Sequence, residues 1–115
     1  MEFATKVMGA KLILVMGHTN CGAIKSAIDN VQLGNITAML SNIRPAVESV
    51  TGVAGEKTSK NKKFVEAVAK QNVILAGKTI TEKSPIIKSM VDAGQVMIVG
   101  SMYDLETGVV TFYGK

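Results

Sequence analysis

Residues Leu12 to Met16 read Leu-Ile-Leu-Val-Met, a continuous aliphatic run closed by Gly17 and followed by the turn-forming stretch Gly17-His18-Thr19-Asn20-Cys21-Gly22. An apolar run without alternation, bounded by a glycine, predicts a strand over Lys11–Met16 that is buried on both faces. Such a strand needs helices on each side of its sheet, so this run points to an α/β fold with a parallel sheet. The chain has 115 residues, enough for one domain over 1–115 and too few for two separate cores.

The remaining pattern fits that frame. Residues 2–10 can form a short helix, and Cys21 to Val31 carries a helical stripe through Ala23, Ala27 and Ile28, or through Ile24, Ala27 and Val31, with Gly34-Asn35 as its break. A second helix is expected over Ile36–Val50, kinked or divided at Pro45. Thr51 to Lys60 is a polar loop, after which Val65, Ala69, Val73, Ala76 and Ile80 step along one helix face. Ser84-Pro85 starts a further helix, with serine as N-cap, proline at the first position and Gly94 at the C-terminal cap. The methionines are expected to fill the core. Val96 to Leu105 and Val109 to Tyr113 are two strands joined by the turn Leu105-Glu106-Thr107-Gly108, a C-terminal β-hairpin. The expected architecture is a small, mostly parallel sheet with flanking helices and one antiparallel edge.

Composition narrows the function. Hydrophobic residues are 47% of the chain and charged residues 19%, values of a packed globule. No stretch approaches the ~20 apolar residues needed to span a bilayer, and the start lacks the basic-then-apolar order of a secretory signal, so no membrane partner and a cytoplasmic location are expected. Net charge is +4, with four of the thirteen basic residues between Lys57 and Lys63. That run has no aromatic residue before Phe64 and reads as a solvated loop and helix start rather than a nucleic-acid site.

His18 is the only histidine and Cys21 the only cysteine. They sit at the carboxyl end of the first strand, where ligands bind in open α/β sheets. A neutral imidazole and a thiolate are both zinc ligands, and two intervening turn residues let both reach one ion. Cys21 also opens a helix, whose dipole favours a negative sulfur, and Gly22 leaves the adjoining N–H open to a small anion. Three readings stand: a metal pair, a reactive thiol without a second cysteine to resolve it, and a small-residue turn with a buried thiol. Spacing alone does not choose among them.

The wider sequence resembles the β-class carbonic anhydrases. "LILVMGHTNCGAIKSAID" is similar to the strand, loop and helix that carry two of that family's zinc ligands. "SPIIKSMVDAGQVMIVGSMYDLETGVVTFYG" is similar to its last helix, strand and hairpin, and "VAKQNV" to the helix upstream. The resemblance implies His18 and Cys21 as ligands of Zn2+, Gly22 beside an anion or substrate pocket, and CO2 and bicarbonate as substrates. Zinc lowers the pKa of its bound water from about 15.7 to about 7, which makes hydroxide available for CO2 at neutral pH.

One family element has no counterpart here. The resemblance implies an upstream strand bearing Cys-x-Asp-x-Arg, which supplies a third zinc ligand and an aspartate–arginine pair. In this chain Cys21 is the sole cysteine, and the sole arginine, Arg44, lies downstream. The sequence therefore matches an amino-terminally shortened member in which no catalytic residue is identifiable. Asp104 is a carboxylate able to replace the ligand only if the fold brings it to the metal. The expectations are weak zinc binding, little CO2 hydration by this chain alone, and an open Lys11–Met16 edge inviting homo-oligomer formation by strand pairing. Symmetric pairing would bring two turns together as a closed His2Cys2 site. The alternatives are a non-catalytic interaction or anion-binding module, and related zinc chemistry on another small substrate.

Overall fold

A computed structural model describes residues 1–113 and places the apolar run in β1, Leu12–His18. The strand extends past Met16 because Gly17 and His18 continue in register with Met102 and Tyr103. Its partner is β2, Met97–Tyr103, which runs parallel to it, and β3, Val110–Phe112, returns antiparallel to β2. The order is β1-β2-β3, a mixed three-stranded sheet with β1 at one edge. Asp104 to Gly108 close the expected hairpin; the Asp104 N–H donates to the Val109 carbonyl and the Gly108 N–H to the Asp104 carbonyl.

Five helices fill the crossover and a π-helical turn, Phe3–Val7, precedes β1. Helix α1, Gly22–Ile28, is shorter than expected. It ends at Asp29, and Asn30 takes a left-handed φ of 56°, so the break falls there and not at Gly34. Gly34, with φ of 47°, instead begins α2, Gly34–Leu40. The helix expected over Ile36–Val50 is divided, and α3, Arg44–Ser49, starts afresh with Pro45 in its first turn. Proline is tolerated there because its missing N–H would have no intrahelical partner. Helix α4, Lys62–Lys83, is capped by Asn61, whose side chain accepts from the Phe64 N–H. Helix α5, Pro85–Asp92, is capped by Ser84, which accepts from the Ile87 N–H; Gly94 at φ 73° closes its far end.

The core lies largely between helices. Ile24 and Ile28 of α1, Ala46 of α3 and Phe64, Val65, Val68 and Ala69 of α4 form one buried cluster. The stripe on α4 loses its cover along the helix: Val65, Ala69 and Val73 are buried, whereas Ala76 is exposed and Ile80 half-buried. Where α4 meets the sheet, Val73 sits in a notch formed by two glycines. A Cβ on Gly17 would lie 2.8 Å from Val73 Cγ2, and one on Gly100 would lie 3.0 Å from Val73 Cγ1. Only glycine allows the helix this close.

The other sheet face corrects the expectation that β1 is covered on both sides. Burial alternates along the strand, and Leu12, Leu14 and Met16 are 56%, 42% and 48% exposed. The helix covers the face of Ile13, Val15 and Gly17; on the opposite face Ser101 is buried between its neighbours and Val99 is half-buried, while the β1 side chains stay exposed. Most of the methionines do not fill the core either: Met1, Met8, Met16, Met39 and Met97 are exposed, whereas Met90 is half-buried and Met102 packs against the buried cluster.

The β1 edge is open as well. The Met97 N–H donates to the Lys11 carbonyl and the Thr19 N–H to the Tyr103 carbonyl, each at 3.0 Å. With this register, the odd-numbered residues of β1 bond to β2. The backbone groups of Leu12, Leu14, Met16 and His18 point outward, where no strand among the described residues meets them.

Two measurements follow from these contacts. Gly17→Ala should lower unfolding free energy in urea by about 1–3 kcal/mol, the usual cost of overpacking. Val73→Ala should recover part of that loss in the double variant. The long 51–60 loop is tied to α1 by Asp29, whose carboxylate accepts from the Ser59 hydroxyl and from its N–H. These bonds, the hydroxyl's first, hold Asp29 below the usual carboxylate range. The tether is therefore intact above the ordinary pKa of 3.8 and is lost as pH falls through the lowered value. Asp29→Ala should make the loop cleave faster under limited proteolysis at neutral pH, with wild type approaching that rate only in strong acid.

Candidate metal centre

The turn that carries the two zinc-ligand candidates is built from both ends. His18 is the last residue of β1. Thr19 anchors the exit twice, through its N–H to Tyr103 and through its hydroxyl, which accepts from the Leu105 N–H at 3.0 Å. Asn20 then turns the chain with a left-handed φ of 52°, and its side-chain oxygen accepts from the Lys25 ammonium. Asparagine is among the few residues that adopt this conformation readily. Cys21 follows as N-cap of α1, its backbone extended at φ −78° and ψ 120°.

The donor atoms suit a metal as far as they go. The Nδ1 of His18 lies 2.9 Å from the Thr19 carbonyl, so a proton on Nδ1 donates there and the lone pair falls on Nε2. The ring is exposed. Cys21 is a free, half-buried cysteine whose side chain makes no capping hydrogen bond, which leaves its sulfur uncommitted. Gly22 is exposed, and a Cβ there would meet nothing within 4 Å, so packing does not dictate glycine at that position.

A third donor is missing from the same region. Among the described residues no group of three or more His, Cys, Asp and Glu could hold a metal ion. Asp104 is engaged elsewhere: its Oδ1 accepts from the N–H groups of Glu106 and Thr107, at 2.9 and 3.3 Å. Arg44 is held by α1, donating from Nη1 to the Ala27 carbonyl at 3.0 Å and pairing with Glu48 at 3.6 Å. A catalytic zinc takes three protein ligands and an open position, so this set fits two corners of such a site and does not complete it.

A cavity of about 530 Å3 opens nearby, on the α4 side of the sheet, between Glu66 and Lys70 of α4 and Met102, Asp104 and Tyr113 of the hairpin. Thr19 and Asn20 reach its wall, whereas His18 and Cys21 do not line it. Lys70 lies 5.0 Å from the Tyr113 ring centre, and burial pushes the Tyr113 phenol up from its ordinary pKa. Sequence reasoning passed over this cleft because its lining comes from residues far apart in the chain and makes no local motif.

The strand, turn and helix order, with the donors beyond the carboxyl end of an edge strand, is that of an open α/β protein with a ligand position at its strand ends. The β-carbonic anhydrase CafA of Aspergillus fumigatus superposes with a TM-score of 0.76 at 25% identity over 97% of this chain and 52% of that one. One of two tetrameric β-carbonic anhydrases from Sordaria macrospora gives 0.79 at 20% identity, covering 99% and 57%. The family model described as carbonic anhydrase matches residues 1–110. A carbonic anhydrase of Mycolicibacterium smegmatis is 30% identical over 109 residues, 93% of this chain and 51% of that protein. One from Candida albicans is 26% identical over 108 residues, 93% and 38%. This chain belongs to the carbonic anhydrase family, and it spans about half the length, or less, of these curated relatives.

The left-handed turn residue gives a direct check. Asn20→Gly should leave thermal stability close to wild type, whereas Asn20→Val should cost about 1–2 kcal/mol by forcing a β-branched residue into that conformation.

Proposed function

We propose that residues 1–115 form the part of a carbonic anhydrase that carries two zinc ligands, His18 through Nε2 and Cys21 through Sγ. The free Nε2 lone pair, set by the bond from Nδ1 to the Thr19 carbonyl, is the observation that carries this reading. Zinc there supplies the activated water with which the family turns CO2 into bicarbonate. The protein's own part is to aim the imidazole, present the sulfur at the start of α1 and leave the Gly22 N–H open to an anion. The donor set fits two corners only, so we assign no step of hydration to this chain by itself. The further ligand has to come from a segment or chain outside the described residues.

Self-association belongs to the same reading. The outward backbone groups of β1 invite a second strand, and the Lys11–Met16 edge is where a second copy can pair. A second reading, a non-catalytic interaction or anion-binding module, draws on the absence of a third metal donor among the described residues.

Zinc content and CO2 hydration kinetics separate the two. A complete structural zinc site in a peptide is worth ~10–16 kcal/mol, and loss of a thiolate ligand removes much of it. The purified chain should bind zinc reversibly, lose it on dialysis against a chelator, and hydrate CO2 near the uncatalysed rate. His18→Ala and Cys21→Ala should each weaken residual binding by at least about tenfold, the lower cost of losing a group that merely orients a ligand. Binding indifferent to both substitutions would remove the metal reading. One tightly held zinc per chain with rapid hydration would overturn the account of an incomplete site.

A further inference from the structure

The hairpin turn 104–108 has no part in the proposed metal pair, yet it is bonded directly to the turn that carries His18. Its shape is fixed by its own groups. Asp104 Oδ1 accepts from the Glu106 and Thr107 N–H groups at 2.9 and 3.3 Å, and the Gly108 N–H donates to the Asp104 carbonyl at 2.8 Å. The Thr107 hydroxyl accepts from the Val109 N–H at 3.2 Å. The Leu105 N–H takes no part in these bonds. It donates instead to the Thr19 hydroxyl, 86 residues away in the chain.

Thr19 is thereby held at three points. Its N–H donates to the Tyr103 carbonyl, its hydroxyl accepts from Leu105, and its carbonyl accepts from His18 Nδ1 at 2.9 Å. Thr19 is half-buried while His18 and Asn20 on either side are exposed, so the grip comes from the protein side of the turn. The left-handed Asn20 sets the direction of the next peptide, and with both neighbours fixed the Thr19 carbonyl stays at the ring. A carbonyl only accepts, so it selects the tautomer with hydrogen on Nδ1. We infer that Thr19, gripped by the hairpin turn through the Leu105 N–H, is a positioning residue that holds the His18 imidazole in the Nδ1–H tautomer with Nε2 free. Asp104 then acts two bonds away from the imidazole, by shaping the turn that presents the Leu105 N–H. The use of Nε2 toward a metal rests on the proposed function; the tautomer does not.

Nitrogen-15 NMR of the whole metal-free chain, with chelator at about pH 8 where an ordinary histidine is neutral, reads the two ring nitrogens separately. His18 is the only histidine, so its signals need no further assignment. The Nδ1–H form should predominate in wild type. Thr19→Val keeps the β-branch and loses the acceptor, and should shift the population toward Nε2–H; Thr19→Ser should restore it. Asp104→Ala should shift it in the same direction as Thr19→Val. Ser84→Ala removes the N-cap of α5, away from both turns, and should lower the melting temperature with the population unchanged. Cobalt(II) should bind Thr19→Val about 10–100-fold more weakly than wild type, the usual cost of losing a group that orients a ligand, and Thr19→Ser about as well. A wild type with its hydrogen on Nε2, a wild-type population in Thr19→Val or Asp104→Ala, or an equal shift in Ser84→Ala would each overturn the proposal. Failure of wild type to bind cobalt would remove the metal reading, and the tautomer populations would still decide this one.

Discussion

Val73 pressed between Gly17 and Gly100 is the contact on which the rest of this fold depends. It joins α4, the longest helix, to both parallel strands, at the centre of β2 and near the end of β1, at a distance that any Cβ would prevent. Because Gly17 immediately precedes His18, the same contact fixes where β1 ends and the turn begins. Thr19 then pins the turn to β2, and Asn20 redirects the chain so that Cys21 opens α1. Packing energy from the helical core is thereby spent on placing two donor atoms beyond the end of a strand.

That placement brings an asymmetry. One sheet face rests on α4, while the other face and the β1 edge are open, and His18 belongs to the open side through both its side chain and its backbone groups. The family relation gives this a physical reading. A chain spanning about half its curated relatives has the turn that holds the two candidate ligands, together with a strand whose outer neighbour is absent among the described residues. The two candidate metal donors and the open side of the sheet therefore occur at the same place. A partner that covers the sheet also approaches the donors, and a partner that supplies a donor also has an apolar surface to rest on.

Much of this was legible in the sequence because the signals were local. Ser84-Pro85 and Gly94 bracket α5 through the capping chemistry of their own side chains and backbones, and the Pro45 break follows from a missing N–H. The β1 run and the His18–Cys21 turn were equally plain, as was the open edge once a family strand had no counterpart. Burial was misread where it depended on partners. Five consecutive apolar residues indicate a strand covered on both faces, yet Leu12, Leu14 and Met16 stay 42–56% exposed, since the pattern records what a surface needs and not whether the need is met. The α1 break was missed because Asn30 adopts a left-handed conformation that a nearby glycine seemed better suited to supply. The α4 cleft assembles from Thr19, Glu66, Asp104 and Tyr113, which no local pattern could join.

The central proposal is that His18 and Cys21 offer one imidazole and one thiolate to a metal, with no third protein ligand among the described residues. Cobalt(II), which takes the place of zinc and reports its ligands by absorption, tests it most directly. Titration of the reduced chain should saturate only at high cobalt concentration and show thiolate-to-metal charge transfer at the intensity of a single sulfur per ion, abolished in Cys21→Ser. Stoichiometric tight binding at low cobalt, or charge-transfer intensity unaffected by that substitution, would contradict it.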